Sequence, residues 1–334
     1  MSDRLRILVT GGAGYVGSVT VERLVEAGHE VVVLDDLSTG HAAAVVDGAQ
    51  FVRGSYADES ATTALLRMSG IQAVLHCAAR SLVAESIAEP ARYYRANVAG
   101  GIALLEAARA AGVGRFVFSS TAAVYGTPDA TPISEDAPLH PINPYGETKR
   151  TVETMLRWYG AAYGLRSVSL RYFNVAGASE RNGEVHSPET HLIPIILAAA
   201  ATRGAVTIFG DDYPTADGTC VRDYIHVADL ADAHLAAIEA TAPGDARTDE
   251  AVACNLGTAA GFSVREVLVA AEAVVGRPIL ERTGPRRAGD PPVLVASNAR
   301  ARTLLDWSPR RSSLEEMIGS AWRWRAAHPD GYAA

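Results

Sequence analysis

A chain of 334 residues, 48% of them hydrophobic, has ample material for one large domain or two fused ones, and its formal net charge of −8 with no basic run argues against a nucleic-acid partner. No apolar stretch approaches membrane-spanning length and no signal-type segment precedes the first predicted strand, so a soluble, cytoplasmic protein without membrane contact is expected. Cys77, Cys220 and Cys254 are widely spaced and the nine histidines show no metal-ligand spacing, which predicts reduced thiols and no metal site.

Residues 6–10 read as a buried parallel strand running into Gly11-Gly12-Ala13-Gly14-Tyr15-Val16-Gly17 and then a helix to residue 27. In such a unit Gly11 suits the tight turn, Gly14 admits close approach of a pyrophosphate, and Gly17 lets the helix pack on the sheet with its positive end toward the phosphates. A glycine-rich turn alone is weak evidence. Here a second strand, residues 30–34, ends at Asp35, where a carboxylate can accept from an adenosine ribose. Asp35 and Asp36 would also repel a ribose phosphate, which favours NAD over NADP.

Further along, residues 50–52 form a short strand, 59–68 a helix, 73–76 a strand, 93–111 a long helix carrying Asn97, and 115–119 a strand ending at Ser120 and Thr121. A proline-rich, acidic loop over 126–144 leads to a helix at Tyr145. After a strand at 167–171 the alternation weakens, with long loops at 177–194 and 210–218. The pattern predicts an α/β protein: a Rossmann-type doubly wound parallel sheet with a smaller mixed α/β C-terminal substrate domain. Residues 1–175 form the nucleotide domain and 176–334 the substrate domain, with 225–257 returning to the first.

Tyr145 and Lys149 stand four residues apart and so share one helix face, one turn apart. An unperturbed phenol titrates near 10, so roughly one in a thousand is ionised at pH 7. A neighbouring ammonium and the cationic ring of an oxidised nicotinamide both favour the phenolate, and a fall of ~3 units brings Tyr145 near its working pH. Thr121 falls at the carboxyl end of a strand, where a cofactor crevice is lined. The spacing also occurs on ordinary surface helices; the nearby dinucleotide turn is what points to hydride chemistry.

Several runs together resemble one family: the turn from Thr10 to Ser18, Leu34-Asp35-Asp36-Leu37-Ser38, Ser119-Ser120-Thr121, Asn143-Pro144-Tyr145-Gly146, Arg171-Tyr172-Phe173-Asn174, and Asp212-Tyr213-Pro214-Thr215 through Val221-Arg222-Asp223-Tyr224-Ile225-His226. The chain resembles the extended short-chain dehydrogenase/reductases over nearly its whole length, and the last two runs resemble their UDP-hexose 4-epimerase branch. The resemblance implies tightly held NAD, a UDP-sugar substrate, and interconversion of UDP-glucose and UDP-galactose at C4 through a transient 4-keto sugar. It makes Tyr145 the base at the sugar 4-hydroxyl, Thr121 its hydrogen-bonding relay, and Lys149 the residue that holds the nicotinamide ribose and depresses the phenol's pKa.

Position by position, Gly11, Gly14, Tyr15, Val16 and Gly17, then Asp35, Asp36, Leu37, Ser38, Thr39 and Gly40, then Ser55, Tyr56, Cys77, Ala78, Ala79, Arg80, Ser81, Asn97 and Phe173 match cofactor-contacting positions. Asn174, His191, Leu192, Thr207, Ile208, Phe209, Arg222, Arg287 and Asp290 match positions that hold UDP. The physical logic agrees: a diphosphate needs cationic and amide donors, and a ribose diol needs an acceptor. His191 fits a structural histidine as well as a ligand-facing one. A homodimer pairing helices 93–111 and 145–163 across a two-fold axis is also implied.

Departures from the family pattern sharpen the reading. Ala122 and Ala123 stand where sugar dehydratases place an acid pair, so dehydration lacks its acid. Ser55 replaces an aspartate that often binds adenine, and Arg80 stands where relatives carry lysine or an apolar residue. Leu294 occupies a gate that is associated with the substituent at sugar C2, so 4-epimerases of UDP-N-acetylhexosamine or UDP-glucuronate remain alternatives. A non-catalytic NAD-sensing protein is the alternative from another class, and it would normally have lost Tyr145, Lys149 or Thr121.

Overall fold

The computed structural model describes residues 4–248, 251–287, 290–311 and 313–332. Its first half alternates as expected: β1 (Arg6–Thr10), α1 (Tyr15–Glu26), β2 (Glu30–Asp35), β3 (Ala49–Arg53), α2 (Glu59–Met68), β4 (Ala73–His76), the short α3 (Val83–Ala88) and α4 (Pro90–Tyr93), α5 (Gly100–Ala111), β5 (Arg115–Thr121), α6 (Pro144–Tyr163) and β6 (Arg166–Tyr172). Then follow β7 (Asn174–Ala176), α7 (Leu192–Thr202), β8 (Ala205–Phe209), β9 (Val221–Arg222), β10 (Tyr224–His226), α8 (Val227–Ala240), β11 (Val252–Leu256), β12 (Phe262–Ser263), α9 (Val264–Val275), β13 (Leu280–Gly284), β14 (Val293–Leu294), α10 (Ala299–Leu305) and α11 (Leu314–Ala327).

Seven strands pair in the order β11-β6-β5-β4-β1-β2-β3, every pairing parallel. Successive residues of a strand point to opposite faces, so each strand feeds two cores. Ile7, Val9, Leu75, Val117 and Val168 meet α1 and α8 on one face. Leu8, Val74, Phe116 and Phe118 meet α2, α5 and α6 on the other. This is the doubly wound sheet expected from the sequence, and its strand order reverses between β1 and β4. A crevice opens at the strand ends there.

The remaining strands form three small sheets, β10-β7, β12-β9-β14 and β13-β8. A separate core of Ile193, Ile196, Val206, Ile208, Val267, Met317 and Ile318 joins α7, α9 and α11. Ile225, Leu230, Cys254 and Leu256 pack instead into the first core, and so do Ala301, Leu305 and Trp307. Among the described residues no helix is long and apolar enough to cross a membrane.

Two expectations need revision. The long helix expected over 93–111 is interrupted by a π-helical segment, Tyr94–Ala99, between α4 and α5. The wider turn accommodates Asn97, which is buried and bonded on both sides, and such π segments often mark functional positions. The loop expected to reach residue 194 stops at His191, because Pro194 sits in the first turn of α7, where its missing N–H has no intrahelical partner to lose.

Candidate active site

The glycine turn is set by contacts that no side chain would permit. Gly11 has φ +72°, and a Cβ there would lie 2.5 Å from the Ala78 nitrogen; one on Gly17 would lie 2.0 Å from the Gly11 carbonyl oxygen. A Cβ on Gly14 would meet only that carbonyl, at 3.4 Å, so the space above the start of α1 is open. Gly14 is the N-cap and offers no side chain to the first N–H groups, which Tyr15, Val16 and Gly17 contribute. An open cradle of unshared amides at a positive helix end fits a pyrophosphate.

Asp35 closes the turn from β2. Its Oδ2 accepts from Ala13 N at 3.0 Å and its Oδ1 from Leu37 N at 2.9 Å, while burial holds its carboxyl above the usual range. Leu37 adopts a left-handed φ of +60°, and Asp36, Ser38 and Thr39 are exposed at the rim, with Asp36 Oδ1 accepting from Ser38 N. Gly40 lies tight against Ala13, where a Cβ would come within 3.0 Å. The Tyr15 side chain turns away, its hydroxyl donating to Gly177 O at 2.6 Å. Ser55 is exposed and its Oγ accepts from Ala57 N; the Tyr56 hydroxyl donates to Ala96 O at 2.9 Å.

Tyr145 and Lys149 stand on α6, which starts where Asn143 Oδ1 accepts from Gly146 N at 2.9 Å and Pro144 takes the first helical position. Thr121 ends β5; its hydroxyl oxygen accepts from Ala123 N at 3.1 Å, and the side chain is close enough to the Tyr145 phenol to favour its ionised form. The ammonium behaves differently from the expectation. Lys149 is 3% exposed and donates to Ser119 O at 2.8 Å, with its charge 4.7 Å over the Phe118 ring. Burial lowers it to about 8. Burial likewise raises the Tyr145 phenol, to about 12.

The segment after β4 is anchored beside the turn. Cys77 N and Ala78 N both donate to Thr10 O at 3.0 Å, and Cys77 Sγ lies 3.2 Å from Ser119 Oγ. Burial pushes the thiol up to about 11, which leaves it an inert packing group. Ala79 and Arg80 are half-buried and Ser81 is exposed. Asn97 Oδ1 accepts from Arg80 N at 2.9 Å, and its Nδ2 donates to Arg80 O and Thr148 Oγ1, each at 3.0 Å. Both amide hydrogens are therefore used, so Asn97 ties this segment to α6 and has no donor left for a ligand.

On the C-terminal side, Arg222 and Asp290 pair at 2.5 Å, so two candidates sit together in an ion pair. The Arg287 guanidinium lies 4.3 Å over the exposed Phe209 ring, next to exposed Thr207 and buried Ile208 on β8. Asn174 is half-buried on β7 and Leu192 opens α7. Phe173 packs in a small apolar cluster with Tyr125 and Ala296, against which Ala122 and Leu294 also lie. Leu294 pairs with Arg222 across β14 and β9. His191 Nδ1 lies 2.7 Å from Glu184 and 3.1 Å from Glu189. Motif reading included Ser119 and Asp223 but gave them no role; Ser119 touches both Lys149 and Cys77, and the Asp223 carboxylate accepts from the N–H groups of Thr258, Ala259 and Ala296.

A pyrophosphate turn and a Tyr-Lys helix converging on the same strand ends place the protein among the dinucleotide-dependent α/β enzymes. Residues 7–253 match the NAD dependent epimerase/dehydratase family. The chain is 53% identical over 329 residues to the UDP-glucose 4-epimerase of Streptomyces lividans, covering 98% of each, and 50% identical over 331 residues to that of Lactobacillus helveticus, covering 98% of this chain and 99% of the relative. The crystal structure of the UDP-glucose 4-epimerase from Brucella ovis in complex with NAD is 44% identical, with a TM-score of 0.92 and coverage of 96% and 98%. The chain belongs to the NAD dependent epimerase/dehydratase family.

Proposed function

We propose that the protein is an NAD-dependent UDP-hexose 4-epimerase that interconverts UDP-glucose and UDP-galactose. The observation that carries this reading is the placement of Thr121 at the end of β5 and of Tyr145 in the first turn of α6, side by side at the strand ends next to an open glycine cradle. Full-length identity to named UDP-glucose 4-epimerases supports the substrate.

The chain's own groups divide the work. Gly11, Gly14 and Gly17 leave room for a pyrophosphate that the first amides of α1 would bind, and Asp35, which fixes the turn, would accept from the adenosine ribose. When bound, NAD would supply the hydride acceptor and donor. Tyr145 takes the proton of the sugar 4-hydroxyl and later gives it back, with Thr121 holding that oxygen. Lys149 fixes the carboxyl end of β5 through Ser119 O and presents its charge at the floor of the crevice. Arg222, Arg287 and Asn174 bind the UDP part; Arg222 exchanges Asp290 for a phosphate, which frees Asp290 for a ribose hydroxyl. A firm hold on UDP with no ionic hold on the hexose lets the 4-keto sugar present either face.

Alanines at 122 and 123 leave no acid for water elimination, which argues against dehydration. Leu294 packs against the apolar cluster that contains Phe173 and so can form an apolar wall at the sugar. Purified protein incubated with UDP-galactose and no added cofactor is expected to form UDP-glucose; failure to form it in NAD-loaded protein removes the assignment. Leu294→Tyr in the same assay is expected to cut turnover of UDP-N-acetylgalactosamine about tenfold more than that of UDP-galactose, as a steric change of a few methylenes does. Unchanged selectivity rejects the gate.

The homodimer belongs to the same proposal. Ile102 on α5 and Trp158 and Tyr163 on α6 are 44%, 64% and 59% exposed, large apolar side chains on the two helices that would pair. Light scattering is expected to give about twice the 35.1 kDa chain mass, and a monomer at micromolar concentration counts against it.

A further inference from the structure

The loop between β7 and α7 gathers Glu184, His186, Glu189 and His191, whose four ligand-type atoms lie within 4.8 Å of one another. The two imidazoles turn the same nitrogen inward. His186 Nδ1 stands 3.1 Å from Glu184 Oε1 and 3.8 Å from Glu189 Oε2; His191 Nδ1 stands 2.7 Å from Glu184 Oε1 and 3.1 Å from Glu189 Oε1. Four ligands at about 2.0 Å from a tetrahedral centre stand ~3.3 Å apart, close to these separations.

Hydrogen bonding alone leaves this arrangement incomplete. His191 has one Nδ1 hydrogen for two carboxylates, and the buried His186 Nδ1 has no hydrogen-bond partner despite its closeness to Glu184. The Glu184 side chain is only 7% exposed, so its charge is poorly hydrated. A dication at the centre would engage both Nδ1 atoms and balance the two carboxylates with both imidazoles neutral. The ligands are also held from outside: Glu189 Oε1 accepts from Thr190 N and His191 N at 2.7 and 2.8 Å, and the His186 ring meets Tyr15 edge-on with centroids 6.5 Å apart.

We propose that Glu184, His186, Glu189 and His191 form a binding site for one divalent transition-metal ion of the zinc type, set by two imidazole nitrogens and two carboxylate oxygens. The ion staples the 177–191 loop, whose first carbonyl receives the Tyr15 hydroxyl, and so braces the glycine turn from outside. Of the four ligands only His191 also matches a UDP-contacting position, and metal uptake is read in the absence of any sugar nucleotide, so the site's failure and that of the epimerase reading are separable.

The test uses the full-length chain freed of metal by a chelator and titrated with zinc chloride by calorimetry, with cobalt chloride as a spectroscopic probe. Binding should saturate at one ion per chain, and cobalt should show the visible bands of a four-coordinate site without the thiolate charge-transfer band that Cys77, Cys220 or Cys254 would bring. Glu184→Gln and His186→Asn should each weaken zinc binding on the order of 100-fold. If either variant fails to fold, wild-type stoichiometry and the cobalt spectrum decide. Absence of saturable uptake, a thiolate band, or uptake that survives both substitutions reduces the cluster to a histidine proton shared between two carboxylates and overturns the proposal.

Discussion

Tyr145→Phe is expected to lower kcat for UDP-galactose by about a thousandfold, within the range that one positioned acid–base group contributes, while bound NAD stays at the wild-type level. A thousandfold corresponds to about 4 kcal/mol of transition-state stabilisation. The phenol's starting point is unfavourable, because burial raises it to about 12 and the neighbouring Thr121 only partly offsets this. A base works in its deprotonated form, so activity falls as pH drops below the phenol's pKa. For the enzyme to work near neutrality, that pKa must come down in the loaded protein, where the positive charge of an oxidised cofactor would add to that of Lys149 one helical turn away. Wild-type kcat should therefore show an acid limb of unit slope that Tyr145→Phe lacks. A variant within tenfold of wild type, or one that has lost its NAD, would remove Tyr145 from its assigned role.

Much of this geometry was legible in the chain because it is local. The strand, glycine turn and helix at residues 6–26 are one continuous stretch, and four-residue spacing alone puts Tyr145 and Lys149 on one helical face. Alternation of strands and helices fixes a parallel sheet, so the position of Thr121 at a strand end followed as well. What sequence could not supply were pairings between elements far apart in the chain. Lys149 reaches Ser119 across 30 residues, and Arg222 meets Asp290 across 68. Neither partner is implied by spacing, since each depends on which strands become neighbours. The π segment at Tyr94–Ala99 was hidden for another reason: its residues suit an ordinary helix, and the wider turn answers to packing around Asn97. The Glu184–His191 cluster is short-range, yet its convergence comes from loop backbone that follows no period.

Glu153→Ala is expected to destabilise the fold by about 3–5 kcal/mol, read from urea unfolding, because it strands a buried guanidinium. Arg171 and Glu153 are only 7% and 8% exposed and share a forked contact, with Nη2–Oε2 at 2.6 Å and Nε–Oε1 at 3.0 Å. Around them, Ser120 Oγ donates to Glu153 Oε1, Arg171 Nη1 donates to the Tyr125 hydroxyl at 2.8 Å, and that hydroxyl donates to Asn255 Oδ1 at 2.7 Å. The network thus pins α6, β5, β6 and β11 at the strand ends where Thr121 stands. Replacing both ions, Glu153→Leu with Arg171→Met, should recover most of the loss, since the penalty comes from the orphaned charge rather than from the missing attraction. A single variant costing under about 1 kcal/mol would refute the burial argument. Function should shift too. Burial lowers Lys149 to about 8, and Glu153 is one of the groups that resist this. Without Glu153 the ammonium loses its proton at lower pH, so the alkaline limb of kcat should move toward neutrality in Glu153→Ala and stay in place in Glu153→Asp if the shorter carboxylate keeps its charge beside Lys149.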